Sequence, residues 1–332
     1  MSGQPSPTQK QMASRLGVSQ ALVSRALSGR GREIGASEET VQKICRMAAK
    51  WNYQPSATAL ALLGAPTRTI GVVIRNFDDP YFGRLIGALQ ALARDNTHSL
   101  LLTGPSKEDL FGLQKHRVDA VIVAGSDFLP EGPVNFGKVP VIQIGTGMVF
   151  PGAIQIHMDE ESGIGEVVNY LAGLGHRDIG FVAREAKTNL RRAEILRGSL
   201  RTLGFSVREK SFIPFGGGEG RAAERAVKAI LSLARMPTAV VAAEDSIALA
   251  LLRGFHEAGI RVPQDISIAG IDDIAASAQA IPPLTTLRQP ISEMAAAAFR
   301  AITGGCRKPV SVPGTLMIRK SCGPILPYSK IQ

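Results

Sequence analysis

Residues 19–25 place hydroxyl, amide and guanidinium groups on two turns of one predicted helix. Arg25 can donate two hydrogen bonds together to O6 and N7 of a guanine, which is the commonest specific contact between a protein and a base. The hydroxyls of Ser19 and Ser24 suit phosphate oxygens, which position a protein on DNA without reading its sequence. The segment therefore indicates contact with DNA, and a three-helix bundle with solvated polar faces is the alternative.

A second set of side chains follows the predicted strands of the remaining chain. Ligands of open parallel sheets bind outside the carboxyl ends of the strands. Carboxylates and amides there suit the vicinal hydroxyls of a sugar, and an arginine suits a carboxylate. An aspartate after a strand can instead merely cap the next helix. The candidates are Asn76, Phe77, Asp78, Ser126, Thr146, Asp159, Arg184, Phe215, Glu244 and Asp272.

Metal, cofactor and disulfide chemistry is not expected. Cys45, Cys306 and Cys322 are widely spaced, and the sequence contains neither a CxxC nor an HExxH motif. An enzyme would need a nucleophile with a base, and the sequence shows no such set, so we do not expect an enzyme. A small-molecule-binding protein or an enzyme without a DNA role is the rival interpretation of the α/β part.

The net charge of +10 favours an anionic partner, and its distribution is uneven. Residues 1–64 contain eight basic and three acidic side chains, so they carry a net charge of +5, which is half of the total. A basic domain attached to a nearly neutral body is typical of nucleic-acid binding. The N-terminus is polar and no run of about 18 apolar residues occurs, so we expect a cytoplasmic protein without a membrane span.

The elements that must position these side chains fall into two groups. Residues 8–53 predict three short helices, each preceded by a hydroxyl side chain that can cap it, at Thr8, Ser19 and Ser37. Gly17 separates the first helix from the second. This helix-turn-helix would place the second helix in the major groove, with Gln20 and Ala21 among its exposed early residues.

From Thr69 onward, short apolar runs alternate with amphipathic helices, which predicts parallel sheets covered on both faces. Ten strands over about 265 residues suit two doubly wound subdomains better than one sheet. The predicted strands are 69–75, 98–103, 118–124, 140–144, 153–157, 178–183, 211–215, 238–243, 266–270 and 315–319, and helices lie near 81–94, 160–174, 190–203, 220–235, 245–258 and 290–303.

These features resemble the LacI/GalR family of transcriptional regulators. Residues 17–27 resemble the family signature G-V-S-x-x-T-V-S-R-x-L, and residues 51–55 resemble its L-x-Y-x-P. Further matches follow in order, at 70–73, 78–82, 175–180, 244–245, 270–273 and 283–290. The resemblance implies an all-α helix-turn-helix headpiece and an α/β body of two doubly wound subdomains like those of periplasmic binding proteins.

The resemblance also implies how DNA is bound. In this family the hinge folds into a helix only on operator DNA, and the two hinges of a dimer push leucines into the minor groove. Leu62 is at the matching position, in the same short apolar segment as Ala59, and packing of Leu62 on the body is the alternative. Thr8, Asn52 and Tyr53 complete the expected contacts. We therefore expect a homodimeric repressor on a near-palindromic operator.

The family's effector site lies in the cleft between the two subdomains, and ligand bound there changes operator affinity. Its pocket adds Tyr81 and Phe82 to the candidates above. The position of the family's effector arginine holds Ile195 here, and Arg192 or Arg191 can substitute from the previous turn. Glu244 replaces the common asparagine. A sugar or sugar acid is the expected effector.

The expected domain division has three parts. The headpiece spans residues 1–55, the hinge helix and linker span 56–66, and the body spans 67–332. Within the body, the N-subdomain covers about 67–158 plus 290–312, and the C-subdomain covers about 159–289 plus 313–332.

Overall fold

The computed structural model describes residues 8–28, 35–53, 66–125, 127, 136–147, 149–215, 219–304 and 307–325. It divides the chain into two compact units, residues 1–67 and 68–332. The first unit contains the headpiece, and the second forms the body.

The described headpiece consists of three helices, α1 (Gln9–Leu16), α2 (Gln20–Leu27) and α3 (Glu38–Lys50). Thr8 and Gln11 form a reciprocal capping box at the start of α1, in which the Thr8 amide donates to Gln11 Oε1 at 2.8 Å. Gly17 ends α1 in the left-handed conformation, with φ of 67°, where a side chain would be strained. The Ser19 hydroxyl then accepts from the Leu22 amide and starts α2.

A small apolar core holds the three helices together. Met12, Val23 and Ile44 contribute one fully buried side chain from each helix, and Leu22 and Trp51 pack around them. The helical spacing of the apolar residues places this core on one side and leaves the polar faces in solvent. The expected all-α helix-turn-helix headpiece is confirmed.

The body alternates strands and helices along the chain. The first half contains β1 (Thr69–Ile74), α4 (Pro80–Asp95), β2 (Ser99–Thr103), α5 (Lys107–Lys115), β3 (Ala120–Ala124), β4 (Val141–Ile144), β5 (Ile154–Asp159), α6 (Glu160–Gly173) and β6 (Ile179–Arg184). The second half contains α7 (Lys187–Thr202), a 3₁₀ turn (Glu209–Ser211), β7 (Phe212–Phe215), α8 (Glu219–Leu231), β8 (Ala239–Ala242), α9 (Asp245–Glu257), β9 (Ser267–Asp272), α10 (Ala275–Gln279), β10 (Thr285–Arg288), α11 (Ile291–Ile302), β11 (Val310–Pro313) and β12 (Thr315–Met317).

Two six-stranded sheets form the N- and C-subdomains. The N-subdomain sheet is parallel throughout, in the order β11-β5-β4-β3-β1-β2. The C-subdomain sheet has the order β12-β10-β9-β8-β6-β7, and only β12 runs antiparallel. Because the last two strands enter different sheets, the chain crosses between the subdomains again after α11.

Helices cover both faces of each sheet, which is why the strands are almost wholly apolar. In β1, Val72 packs toward α4 and α11, and its neighbour Val73 packs toward α5. In the C-subdomain, one continuous core joins the strands to α6, α7, α8 and α9. The prediction of two doubly wound subdomains is confirmed.

Among the described elements, the sequence pattern missed two strands, β10 and β11, and two helices, α5 and α10. The strand β10 escaped because it contains two consecutive threonines, Thr285 and Thr286, which are both fully buried. Burial is possible because each hydroxyl has a partner: Thr286 donates to Asp245 Oδ1 at 2.6 Å, and Thr285 accepts from the Arg319 amide at 2.9 Å. The other missed strand, β11, is a short edge strand that ends in Pro313.

Candidate functional site

The predicted DNA-reading residues lie on α2 and the turn before it. Ser19, Gln20, Ala21 and Arg25 are exposed, and Ser24 is half-buried. The opposite side of α2 carries the buried Val23 and Ala26 of the headpiece core. The helix therefore presents hydroxyl, amide and guanidinium groups outward, while its apolar side chains hold it in place.

The other predicted DNA contacts have more varied surroundings. Thr8 is exposed at the N-terminus of α1, and Asn52 is exposed with a φ of 47°. Tyr53 is half-buried, and its side chain packs against the headpiece core, so only part of it faces solvent. Ala59 and Leu62 lie outside the described residues.

A cavity of about 80 Å³ lies between the N- and C-subdomains of the body. Its walls come from segments that follow the carboxyl ends of strands in both sheets, where a ligand of doubly wound sheets is expected. The lining residues are Arg75, Asp79, Tyr81, Phe82, Gly125, Asp127, Ile144, Gly145, Thr146, Gly147, Met158, Glu160, Ala186, Thr188, Asn189, Arg192, Glu244, Asp272 and Gln289.

Glu244 connects charges from both subdomains. Its Oε2 accepts a hydrogen bond from Arg184, which ends β6, and its Oε1 lies 3.8 Å from Nη1 of Arg75, which follows β1. Arg75 also donates to Asp79 at 2.6 Å and stacks over the Phe82 ring, 5.2 Å from its centroid. The two arginines hold the carboxylate of Glu244. Because Arg75 belongs to the N-subdomain and Glu244 to the C-subdomain, the ion pair between Arg75 and Glu244 crosses the cavity.

Gly125 completes this wall. It has a φ of 78°, and a Cβ at that position would lie 2.8 Å from Cβ of Arg75 and 3.0 Å from the Phe82 ring. Any side chain would therefore displace the arginine or the ring, so the close approach of this turn to Arg75 requires glycine.

Arg192 and Glu160 form a buried pair on the C-subdomain side. The Arg192 Nε lies 2.7 Å from Glu160 Oε1, and its Nη1 donates to the Ala243 carbonyl at 2.6 Å. The Thr146 hydroxyl of the N-subdomain donates to Glu160 Oε2 at 2.9 Å. Both charged side chains are more than nine-tenths buried, which fixes the guanidinium in the cavity wall.

Asp272 ends β9 with its carboxyl group buried beside these charges. Gln289 donates to Asp272 Oδ1 at 2.6 Å, and burial raises the pKa of this carboxyl well above its usual range, against the attraction of Arg192. Tyr81, on the opposite wall, also has a raised pKa because its hydroxyl is desolvated. Burial therefore favours the neutral, hydrogen-bonding form of both groups.

Four further hydrogen bonds join the subdomains, two at Asp127 and two at Arg84. Asp127 accepts from both the amide and the hydroxyl of Thr188, at 3.0 and 2.5 Å. Arg84, on α4, donates to the Asp273 carbonyl at 2.5 Å. Arg84 also donates to the carbonyl of Asp272, whose side chain lines the cavity. These hydrogen bonds connect the cavity wall to α4.

The structure brings together part of the predicted set. Tyr81, Phe82, Thr146, Arg192, Glu244 and Asp272 line the cavity, and Arg184 lies behind Glu244. Asn76, Phe77 and Asp78 do not line it: Asn76 caps its own turn by accepting from the Asp78 amide, and Phe77 is 53% exposed. Asp159 accepts from the Ser162 amide and caps α6, the alternative left open above.

The structure describes no side chain for two of the predicted residues. Phe215 ends β7, where it pairs with Arg184 of β6, and its side chain is not among those described. Ser126 lies outside the described residues.

Sequence reasoning missed Arg75, Asp79, Glu160 and Gln289. The predicted strand 69–75 includes Arg75, but β1 ends one residue earlier, at Ile74. Glu160 begins the predicted helix 160–174, and a glutamate on a helix is ordinarily solvated. In the structure it is the first residue of α6 and is only 3% exposed. Gln289 follows a strand that the pattern did not reveal. A correct set of strand ends would have identified Arg75 and Gln289.

Among the described residues, no cluster of histidine, cysteine, aspartate and glutamate is arranged to hold a metal ion. None of the described helices combines the length and apolarity needed to cross a membrane.

Comparison with known proteins places the molecule in a family. The periplasmic binding protein-like domain family matches residues 168–322. The transcriptional repressor PurR of Pasteurella multocida (strain Pm70) is 31% identical over 309 residues, which cover 89% of this chain and 90% of the relative. The chain belongs to the LacI/GalR family of transcriptional regulators. The ribose operon repressor of Haemophilus influenzae (strain ATCC 51907 / DSM 11121 / KW20 / Rd) is 26% identical over 95% of this chain and 96% of its own.

Solved structures of LacI/GalR regulators share the fold. A lac repressor dimer bound to operator and the anti-inducer ONPF superposes with a TM-score of 0.79 at 23% identity, over 95% of this chain and 98% of that one. A LacI family regulator from Enterococcus faecium with bound ribose gives a TM-score of 0.69 at 25% identity, over 78% of this chain and all of that one. The expectation of a regulator rather than an enzyme is confirmed by the curated relatives.

Proposed function

We propose that this LacI/GalR regulator is a homodimeric repressor whose affinity for a near-palindromic operator is controlled by a small polyhydroxyl ligand in the cavity of the body. The observation that carries the proposal is the polar cavity between the two sheets, joined to a separate headpiece with an exposed polar helix. The named repressor relatives and the operator-bound and ribose-bound neighbours support it.

In this proposal, α2 of the headpiece enters the major groove. Arg25 reads a base, Gln20 and Ala21 face the groove, and Ser19 and Ser24 contact phosphates. Thr8, Asn52 and Tyr53 add contacts to the DNA backbone. Exposure of Arg25 and the Ser19 cap at the start of α2 support this assignment.

The base-reading role of Arg25 can be tested with the upstream DNA of the gene itself. A gel shift with the full chain should give a specific complex, and deletion of residues 1–67 should abolish it. Arg25→Ala should cost roughly 1–3 kcal/mol at one base position and little elsewhere. A uniform loss over all sequences would make Arg25 a phosphate contact instead, and Gln42→Ala, at an exposed position on α3, is the control.

The hinge supplies the second DNA contact. We propose that residues 56–66 fold on DNA and that Leu62, with Ala59, reaches the minor groove as an apolar wedge. Leu62→Ala should weaken operator binding while the melting temperature of the body stays unchanged. Equal affinity of this variant and the wild type would contradict the wedge.

Regulation follows from the two-site arrangement. Ligand that favours one arrangement of the subdomains changes operator affinity, and operator changes ligand affinity by the same factor. The division into headpiece, hinge and body at residues 55 and 66, and a cytoplasmic location with access to DNA, are part of the same proposal.

A thermal-shift screen of the full chain against sugars, sugar acids and nucleobases tests the ligand. A compound at 100 times its dissociation constant stabilises the bound fold by about 2.7 kcal/mol. The same compound must then change the gel shift. Binding without any effect on the gel shift would separate the cavity from regulation.

A further inference from the structure

Two consecutive residues at the end of β9 have a backbone conformation that side chains disfavour. Asp272 has a φ of 127° and Asp273 has a φ of 54°. Non-glycine residues in this region cost free energy, and they persist only where the surrounding structure holds them. The side chain of Asp272 also lines the cavity. Whatever holds this strained pair, which we call the 272–273 turn, therefore also positions part of the cavity wall.

The C-subdomain holds one side of the 272–273 turn. The Asp273 carboxylate accepts from Nε of Arg288 at 2.7 Å and from Nη2 of Arg319 at 2.5 Å. The Asp273 amide donates to the buried Thr286 hydroxyl at 3.3 Å. The side chain and the amide of Asp273 are thus bound by groups of its own subdomain.

The carbonyl groups of the 272–273 turn are bound from the N-subdomain. Nη1 of Arg84, on α4, donates to the Asp273 carbonyl at 2.5 Å and to the Asp272 carbonyl at 3.3 Å. Hydrogen bonds from a charged donor are stronger than those between neutral groups. Because a peptide carbonyl turns with the φ and ψ angles beside it, a displacement of Arg84 acts directly on the strained backbone.

The helix α4 is placed to carry such a displacement. It follows β1, the first strand after the linker between the headpiece and the body. Its buried Leu85 and Leu89 belong to one core with Ile70 of β1 and Phe299 of α11. A close-packed core has low compressibility and transmits a shift of one element to its neighbours. A shift of β1 therefore moves α4, and Arg84 with it.

We propose that Arg84 is a positioning residue that couples operator binding to the geometry of the 272–273 turn, and through this turn to the cavity. Since coupling between two sites is reciprocal, a ligand that moves Asp272 changes operator affinity by the same factor by which operator changes ligand affinity. The inference rests on the proposed function, because it names the route between the two sites of that repressor.

Hydrogen exchange of the full chain, measured by mass spectrometry with and without the upstream DNA of the gene, tests this route. The amides of residues 272–277 report on the turn, since the Ile274 amide donates to the buried Asp245 at 3.1 Å. In the wild-type protein, the specific complex should change exchange in this segment at least about threefold. DNA of equal length without the operator should not change it.

Arg84→Met keeps a long side chain and removes its donors. Because Arg84 is at an exposed position, the variant should fold and still form the specific complex. The change that DNA causes in residues 272–277 should fall below about 1.5-fold. A purely structural role of Arg84 would instead raise the exchange rates with and without DNA alike and leave their ratio unchanged.

Arg94→Met is the matched control. Arg94 lies on the same helix, its side chain is 77% exposed, and it forms an ion pair with the adjacent Asp95. This variant should keep the wild-type response to DNA. Arg84→Gln, which also removes the charge, serves as the test if Arg84→Met does not fold.

Each outcome has a distinct meaning. A response to DNA that is lost in Arg84→Met and kept in Arg94→Met supports the route through Arg84. An equal response in Arg84→Met and the wild type overturns the proposal, and so does its loss in both variants. The proposal is also overturned if residues 272–277 of the wild-type complex exchange as in the free protein, although the repressor then stands. If no specific DNA complex forms, the proposed function fails and this inference fails with it.

Discussion

The headpiece and the body assemble their functional residues in opposite ways. The candidate DNA-reading side chains come from seven consecutive residues, 19–25, on one capped helix. The charged residues of the cavity come from segments between Arg75 and Gln289, held in two sheets. A local helix can thus be recognised from its own sequence, whereas the cavity exists only when distant strand ends meet.

The two regions also differ in how their polar groups are satisfied. The reading side of α2 is exposed, so water solvates its side chains until DNA replaces it. The cavity side chains are buried and satisfy one another through ion pairs and hydrogen bonds. Substitutions should therefore have mainly local effects in the headpiece and coupled effects in the body.

The largest effect is expected in the body. Arg192→Ala leaves the carboxylate of Glu160 buried without its nearest cation and removes the bond to the Ala243 carbonyl. Breaking a buried pair from one side typically costs about 3–5 kcal/mol. Urea denaturation of the full chain should show this loss in the transition of the body.

The neighbouring arginine is the matched control for that experiment. Arg191 also faces Glu160 but its side chain is 48% exposed, so Arg191→Ala should cost about 1 kcal/mol or less. Similar losses for both variants would show that burial of the Arg192 pair is not what stabilises this wall.

The next effect separates the two regions. Ile44→Ala removes a fully buried side chain from the headpiece core and should cost about 2–5 kcal/mol there. Because the headpiece core is small, operator binding should be lost while ligand binding by the body remains. Cys45→Ala, at the exposed neighbouring position, should preserve both activities. Loss of ligand binding in Ile44→Ala would contradict two independently stable units.

A smaller effect tests the local character of the reading helix. Ser19→Ala removes the hydroxyl that accepts from the Leu22 amide, and loss of such a cap costs about 1 kcal/mol. The headpiece transition should move to a lower temperature in calorimetry. Ser14→Ala, an exposed position within α1 that caps no helix, is the control and should change the transition much less.

The smallest effect depends on pH. Burial raises the pKa of Asp272 in the folded protein, so between the ordinary aspartate pKa and this raised value the folded state binds more protons than the unfolded state. Stability contributed by this group therefore falls as pH increases through that interval. Asp272→Asn should be relatively more stable at higher pH, with no gain below the ordinary pKa. Melting temperatures over a pH series, with Asp78→Asn at an exposed site as control, measure this.

The comparison of the two regions explains which predictions succeeded. The three helices of the headpiece were predicted because their caps and apolar spacing are local signals, and Gln11 in the first helix completes a capping box. In the body, most strands were found from apolar runs. The strand β10 was missed because Thr285 and Thr286 are polar, and only the partners Asp245 and Arg319 make their burial possible.

The residues around the cavity show the same limit. Position after a strand correctly indicated Thr146, Glu244 and Asp272 as cavity residues, but it also indicated Asp159, which caps a helix. Local sequence cannot separate these cases, because the direction of an aspartate after a strand depends on the first turn of the next helix and on the sheet behind it.

The sequence by itself determined the helix-turn-helix headpiece, the alternation of strands and helices in the body, and the family. These follow from caps, periodicity and motifs that act over a few residues. Only the tertiary structure decided which strands belong to which sheet, and it alone paired Arg192 with Glu160 and placed Glu244 between Arg75 and Arg184. Those pairings join residues more than 30 positions apart, and their partners are chosen by the packing of two sheets rather than by any local preference.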